Sequence, residues 1–110
     1  MTYQVALQAL ADPTRRAIFE KLRGGPSAVG ELAHGLPLTR PAVSQHLKVL
    51  KGAGLVRERR EGTRRVYCVE LSGLAELRRY LESFWSDVLL AFREEANQQS
   101  ERSRAAARRP

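Results

Sequence analysis

Apolar residues recur at every third or fourth position through the first third of the chain, which is the period of amphipathic helices. This period predicts one helix over residues 3–10 and a second over residues 13–23, where Asp12 precedes a proline at the first helical position. A third, very short helix is predicted between Ser27, as its cap, and Pro37. The apolar positions of these helices are Tyr3, Leu7, Leu10, Ala17, Ile18, Leu22, Val29, Leu32, Ala33 and Leu36.

The next stretch, LTRPAVSQHLKVLKGAGL at residues 38–55, predicts a helix with one apolar and one basic face. Thr39 can cap its N-terminus, and Gly54 suits the left-handed stop after it. No acid occurs between Arg40 and Lys51, so the polar face suits a polyanion with hydrogen-bonding edges, such as a DNA major groove. The apolar stripe consists of Val43, Leu47 and Leu50, and the polar side carries Arg40, Ser44, Gln45, His46 and Lys48.

A β-hairpin is predicted after this helix. Residues 55–60 and 63–71 are rich in β-branched, aromatic and arginine side chains, and Glu61-Gly62 between them fits a two-residue loop. This loop would place Arg59 opposite Arg64, where two like charges repel each other and destabilise the sheet. A phosphate between the two arginines would remove that penalty, so we interpret the hairpin, about residues 55–71, as a wing that lies along DNA backbone.

A long last helix is predicted from about Gly73 to Glu95, with Ser72 as its cap. Its apolar stripe is broader than a domain of this size can cover, so we expect a homodimer interface, with folding back onto its own domain as the alternative. Residues 97–110 contain no large apolar side chain and are predicted to form a basic, disordered tail after a domain of residues 1–96. The residues predicted for the interface are Tyr3, Leu7, Leu77, Leu81, Phe84, Trp85, Val88 and Phe92.

Charge is unevenly distributed along the chain. The 110 residues carry a net charge of +7, but residues 39–65 alone contain eight Lys or Arg and only two Asp or Glu. Such concentration is typical of nucleic-acid binding, whereas a solvated charged face, the alternative, has mixed signs. One cysteine excludes an internal disulfide, and neither a signal peptide nor a membrane span is visible, so a cytoplasmic protein without a membrane partner is expected.

The predicted elements form a mainly α fold with one small hairpin, in the order α-α-α-α-β-β-α. Two short helices joined by a tight turn, with a basic second helix (about residues 39–53), define a winged helix-turn-helix. Which side chains would contact bases and which phosphates stays open, and Arg65 could instead pair with Glu58. His46 could contact DNA or pack at the turn. The candidate DNA-binding residues are Thr39, Arg40, Ser44, Gln45, His46, Lys48, Arg60, Thr63, Arg64 and Arg65.

Several segments resemble the ArsR/SmtB family of bacterial winged-helix repressors. They are ADPTRR at residues 11–16, PAVSQHLKVL at residues 41–50, AGLV at residues 53–56 and the arginine-rich hairpin at residues 59–67. The resemblance covers roughly residues 3–95. It implies a homodimer on an inverted-repeat operator, with recognition helices in successive major grooves of double-stranded DNA and wings on the flanking DNA. It also implies release by a ligand, which the sequence leaves unidentified.

The sequence departs from the family's metal-sensing members. Those members carry a Cys-x-Cys pair in the third helix, whereas the matching segment here, SAVGELAHGL at residues 27–36, has no cysteine, and the last helix has no histidine. The chain therefore resembles the branch without metal ligands, and neither a metal nor a cofactor is predicted. No catalytic constellation is visible, so an enzyme is not expected. The alternatives to a repressor are a protein-interaction module and a ligand-responsive or redox regulator with Cys68, otherwise a core residue, as its switch.

Overall fold

The computed structural model describes residues 2–107, in which five helices and one antiparallel hairpin follow each other. Their order is the one that the sequence predicts for a winged helix-turn-helix. The chain divides into two compact units, one up to Arg78 and the other from Arg79 onward. The elements are α1 (Tyr3–Ala11), α2 (Pro13–Arg23), α3 (Val29–His34), α4 (Arg40–Gly52), β1 (Val56–Glu61), β2 (Arg64–Val69) and α5 (Leu71–Ala107).

The core of the first unit forms where the apolar faces of the short helices meet. Ile18 of α2 and Leu32 of α3 are almost completely buried, and so are the three predicted apolar positions of α4, Val43, Leu47 and Leu50. Both α2 and α3 pack against α4. Because one stripe of α4 is wholly covered, this helix has a single rotational setting, and its polar side must face outward.

Two predicted helix caps are confirmed. The Asp12 carboxylate accepts hydrogen bonds from the backbone N–H of Thr14 at 2.8 Å and of Arg15 at 3.0 Å, at the start of α2. The Thr39 hydroxyl accepts the N–H of Ala42 at 3.2 Å, at the start of α4. Each cap satisfies donors that have no partner within their own helix, so local sequence fixes where both helices begin.

The predictions for two turn residues have different outcomes. Gly54 follows α4 with a φ of 70°, so the expected left-handed stop is confirmed. Ser27 does not cap α3, because its backbone forms an isolated bridge to Tyr67 through hydrogen bonds of 3.0 and 2.8 Å. The cap position of α3 falls instead on Ala28, whose side chain has no hydrogen-bonding group. Pairing with a strand distant in the sequence has replaced the local cap.

The hairpin is confirmed, but its predicted register is wrong. The loop is Gly62-Thr63 rather than Glu61-Gly62, so the pairing moves by one residue in each strand. Gly62 has a φ of 64°, and a tight turn with glycine at its first loop position requires a positive φ there. Arg60, not Arg59, is therefore half of an arginine pair, and it lies opposite Arg65.

The start of α5 differs from the prediction that Ser72 caps it. The Glu70 carboxylate accepts hydrogen bonds from the N–H groups of Leu71 at 2.9 Å and of Ser72 at 3.4 Å, so the helix begins earlier in the sequence. Gly73 then lies against the turn after α4, where its N–H donates to the Gly54 carbonyl oxygen at 2.9 Å. A Cβ at Gly73 would lie 2.7 Å from that oxygen, so no other residue fits without movement.

The far end of α5 also differs from the prediction. The helix does not end near Glu95, because residues 97–107, expected to be disordered, are helical. These residues contain no glycine or proline and are rich in alanine, glutamine and arginine, which propagate a helix readily. The rest of the predicted tail, residues 108–110, lies outside the described residues. Within residues 2–107, no helix has the length and apolar character that a membrane span needs.

Candidate nucleic-acid interface

The outward side of α4 is a continuous polar surface. Arg40, Ser44, Gln45 and Lys48 are all exposed, one or two helical turns apart, as the sequence predicts. The same surface contains an apolar residue that the sequence analysis did not select, because Val49 is 45% exposed. A methyl-bearing side chain beside polar ones suits contact with the methyl group of thymine. Val49 comes four residues after Gln45, and this helical spacing could have indicated that it shares the polar face.

His46 lies at the margin of this surface and is half-buried. Asp12, at the start of α2, has a lowered carboxyl pKa, chiefly because of the hydrogen bond from the Arg15 N–H, with a further contribution from the Thr14 N–H. Thr39 is exposed and is already engaged as the helix cap.

The hairpin carries a dense set of arginines, several of which are paired with acids. Arg59 pairs with Glu61 at 2.7 Å, and Arg65 pairs with Glu58 at 3.4 Å, so the alternative role foreseen for Arg65 is present. Arg60 is exposed and, within residues 2–107, has no carboxylate partner. A cation without an acid partner, opposite a second arginine, remains available to an external anion.

Glu58 connects α4 to the hairpin. Its carboxylate contacts Lys51 of α4 at 3.6 Å and accepts a hydrogen bond from the Tyr67 hydroxyl at 3.3 Å. Burial, reinforced by the negative charge of Glu58, raises the pKa of Tyr67, so the hydroxyl stays a donor across neutral pH. These contacts tie the base of the hairpin to the helix that carries the polar surface. The sequence shows that Lys51 is basic but not that it pairs with Glu58.

Arg64 directly follows the hairpin loop, and its side chain reaches the helix-turn-helix. It forms an ion pair with Glu31 of α3, and both side chains line one cleft together with Arg40. Within residues 2–107, Arg40 and Lys48 have no carboxylate partner. The structure therefore brings Arg40 and Arg64 together, although the sequence placed them on separate elements.

Arg15 and Arg16, at the start of α2, have partners within the chain. Arg15 donates to the carbonyl oxygen of Ala9 at 2.8 Å, and Arg16 donates to that of Leu10 at 3.2 Å. These carbonyls belong to the last turn of α1, where the carbonyl oxygens have no N–H donor within their own helix. The two arginines thus stabilise the junction between α1 and α2.

Cys68 is buried, as predicted for a core residue, and so is Val66, two positions earlier on the same face of β2. Its sulfur accepts a hydrogen bond from Nε of Arg57 at 3.3 Å, and this bond is the main cause of the raised pKa of Arg57. Burial limits the access of an oxidant to the thiol. Among the described residues, no three His, Cys, Asp or Glu side chains are grouped closely enough to hold a metal ion.

The residues predicted for a dimer interface occupy different environments. In the first unit, Leu7 is 40% exposed, Tyr3 is half-buried, and Leu77 packs partly against the core of that unit. In the second unit, the predicted residues are all well exposed on α5. These are Leu81, Phe84, Trp85, Val88 and Phe92.

The described geometry is that of a winged helix-turn-helix DNA-binding protein: a helix with one buried and one basic, outward face, followed by an arginine-rich hairpin tied to it. Comparison with known proteins agrees. A family described as "Helix-turn-helix domain" matches residues 10–59. The chain is 62% identical over 87 residues to the HTH-type transcriptional regulator Rv2034 of Mycobacterium tuberculosis, covering 79% of this chain and 81% of that protein.

Solved structures support the same assignment. One, titled a possible transcriptional regulator for arsenical resistance, is 44% identical with a TM-score of 0.65, over 77% of this chain and 92% of that one. Another, an ArsR-like transcriptional regulator from Rhodococcus sp. RHA1, is 30% identical with a TM-score of 0.70, over 86% of this chain and 92% of that one. The chain belongs to the ArsR/SmtB family of helix-turn-helix transcriptional regulators, which bind DNA and are not enzymes.

Proposed function

We propose that the protein is a homodimeric repressor that binds an inverted-repeat operator. In this proposal α4 enters the major groove, and the hairpin rests on the flanking DNA. The observation that carries it is the outward face of α4, which contains no acid from Arg40 to Lys51 while the opposite face is completely buried. Cytoplasmic location and the absence of a membrane partner belong to the same proposal.

Individual roles follow from side-chain chemistry. Gln45 can form a paired hydrogen bond with adenine, and Arg40 can form one with guanine or hold a phosphate. Ser44 and Lys48 extend the polar surface along α4, and Arg60 supplies phosphate contacts from the hairpin. The remaining candidates keep supporting roles at the edge of this surface. They are Thr39, His46, Thr63, Arg64 and Arg65.

The second copy is proposed to cover the apolar stripe of α5. Phe84, Trp85 and Phe92 are 59%, 60% and 70% exposed, and Leu81 and Val88 share their side of the helix at spacings of three and four. Aromatic side chains this exposed, clustered along one helix, mark an interaction surface. A symmetric pair of identical helices is the simplest occupant, because it also supplies the two-fold symmetry that an inverted repeat requires. Tyr3, Leu7 and Leu77 remain part of the proposed interface.

The proposal is tested by removing two groups from the outward face of α4. In the double variant Gln45→Ala with Lys48→Ala, we expect the affinity for an operator duplex to fall at least about tenfold, because one base contact and one phosphate contact are lost. The slope of log affinity against log salt should become shallower by about 1.8, about 0.9 for the one phosphate contact that each subunit of the dimer loses. The measurement is fluorescence anisotropy on a duplex from the DNA upstream of the protein's own gene.

The matched control is Gln8→Ala with Lys21→Ala, which removes the same two side chains from exposed positions of α1 and α2. It should leave the affinity within about twofold of the original protein, since it changes only distant charge. Equal losses in both double variants, or equal affinity of the original protein for operator and random duplex, would contradict the proposal. A protein-interaction module would leave duplex binding unchanged in the first variant.

A further inference from the structure

A cleft opens between α3, the start of α4 and the start of β2, all within the first unit. Its volume is about 540 Å³, well above what a single phosphate group occupies. Three of the side chains at its wall are basic or can become so, and one is acidic. The lining residues are Ala28, Gly30, Glu31, His34, Arg40 and Arg64.

The two arginines of this cleft differ in their partners. Arg64 forms an ion pair with Glu31, and the two side chains are 58% and 53% exposed. An ion pair this open to water is weak and easily exchanged for another anion. Arg40 has no carboxylate partner within residues 2–107, so its charge is not compensated inside the chain.

Gly30 lies directly beside the guanidinium of Arg40. A Cβ at Gly30 would lie 3.0 Å from Nη2 of Arg40 and 3.2 Å from its Cζ, which is tighter than ordinary contact. The missing side chain therefore makes room for the guanidinium against α3. Glycine within a helix lowers the stability of the helix by roughly 1 kcal/mol relative to alanine. The space that it leaves for the Arg40 side chain is a physical reason for glycine at this position.

We propose that this cleft binds one phosphate oxyanion between Arg40 and Arg64, and that Glu31 acts as a gate. Without a phosphate, Glu31 holds Arg64. A phosphate replaces the Glu31 carboxylate as the partner of Arg64 and binds Arg40 at the same time. Planar guanidinium groups suit the binding of one phosphate from two sides. The phosphate can come from the backbone of the duplex or from a small phosphate-bearing ligand. For the first source, the inference rests on the proposed DNA-binding function.

The gate predicts that removing the acid strengthens binding. In Glu31→Gln, Arg64 is released and a negative charge disappears from the cleft, so we expect duplex affinity to rise by about two- to fivefold. The matched control is Glu20→Gln, since Glu20 pairs with Arg23 at 2.7 Å with similar exposure but lies outside the cleft. The control changes the net charge equally, so any excess in Glu31→Gln belongs to the cleft.

Removal of the positive charge of Arg40 should weaken duplex binding. Arg40→Gln is expected to weaken duplex binding and to reduce the salt slope by about 0.9 per subunit, which is about 1.8 for the dimer. Arg23→Gln, which removes an arginine outside the cleft, should do neither. Inorganic phosphate, titrated into the ¹⁵N-labelled protein, should shift the amide signals of Gly30 and Glu31. The shifts should be absent in Arg40→Gln.

The source of the phosphate is distinguished by competition. If duplex DNA abolishes the phosphate-induced shift at Gly30, the cleft takes a backbone phosphate; if phosphate still binds to the duplex complex, it takes a small ligand. Either result supports the site. No phosphate-induced shift at Gly30, together with equal duplex affinities for Glu31→Gln and Glu20→Gln, would overturn it. Because Gln45 and Lys48 lie outside the cleft lining, their double variant tests the proposed function separately.

Discussion

Asp12 determines the geometry of the junction between the first two helices. Its carboxylate caps α2, and Arg15, which follows it, donates from its side chain to the Ala9 carbonyl at the end of α1. The hydrogen bond from the Arg15 N–H is the main cause of the lowered Asp12 pKa. Asp12 therefore fixes the start of α2, and Arg15, three residues later, binds the end of α1.

This lowered pKa predicts how stability depends on pH. Because folding lowers the pKa of Asp12, its contribution is present above the unfolded value of about 4 and is lost as the pH falls through the folded value. We expect the free energy of unfolding to decrease below about pH 4, with a smaller decrease in Asp12→Ala. The measurement is the urea midpoint between pH 2 and pH 7, with Asp87→Ala as a control for the loss of one exposed carboxyl. The same decrease in Asp12→Ala and the original protein would contradict it.

At the scale of elements, the sequence predicted best what is determined locally. The caps at Asp12 and Thr39 and the stop at Gly54 depend on a few neighbouring residues, and all three are confirmed. The hairpin register was wrong because glycine fits either loop position by composition, and only the positive φ of Gly62 at the first position decides. Ser27 was misassigned because its partner, Tyr67, lies forty residues further along the chain.

The cleft next to α4 could not be derived from the sequence for the same reason. Glu31 and Arg64 come from elements that the chain brings together only after the hairpin has folded against α3. Gly30 had no explanation in the sequence, because the arginine that occupies the space beside it belongs to the next helix. Contacts between distant segments, rather than the identity of the candidate residues, were the missing information.

The last helix supplies a prediction of its own. Leu81→Arg with Trp85→Arg places two charges on the apolar stripe of α5, so we expect a monomer at micromolar concentration and much weaker operator binding. Sedimentation velocity measures the assembly state. The control is Leu90→Arg with Arg93→Ala, because these positions lie away from the stripe by helical spacing, and it should remain dimeric. A monomeric original protein at the same concentration would refute the interface.

At the scale of the whole molecule, charge is sorted along the chain rather than spread over it. Residues 39–65 carry a net charge of +6, whereas residues 66–96, which include most of the exposed apolar stripe, carry −3. A basic segment promotes association with DNA. Doubling the basic segment in a dimer would double the number of phosphate contacts and steepen the salt dependence.

The central claim is that the outward face of α4 and the hairpin contact the duplex. The most direct measurement is a titration of the ¹⁵N-labelled protein with an operator duplex, followed through every amide signal. We predict the largest shifts at Ser44, Gln45 and Lys48, with further shifts at Arg60 and Thr63, all reduced by added salt. Shifts confined to the exposed side of α2, with unchanged signals along α4, would contradict the account.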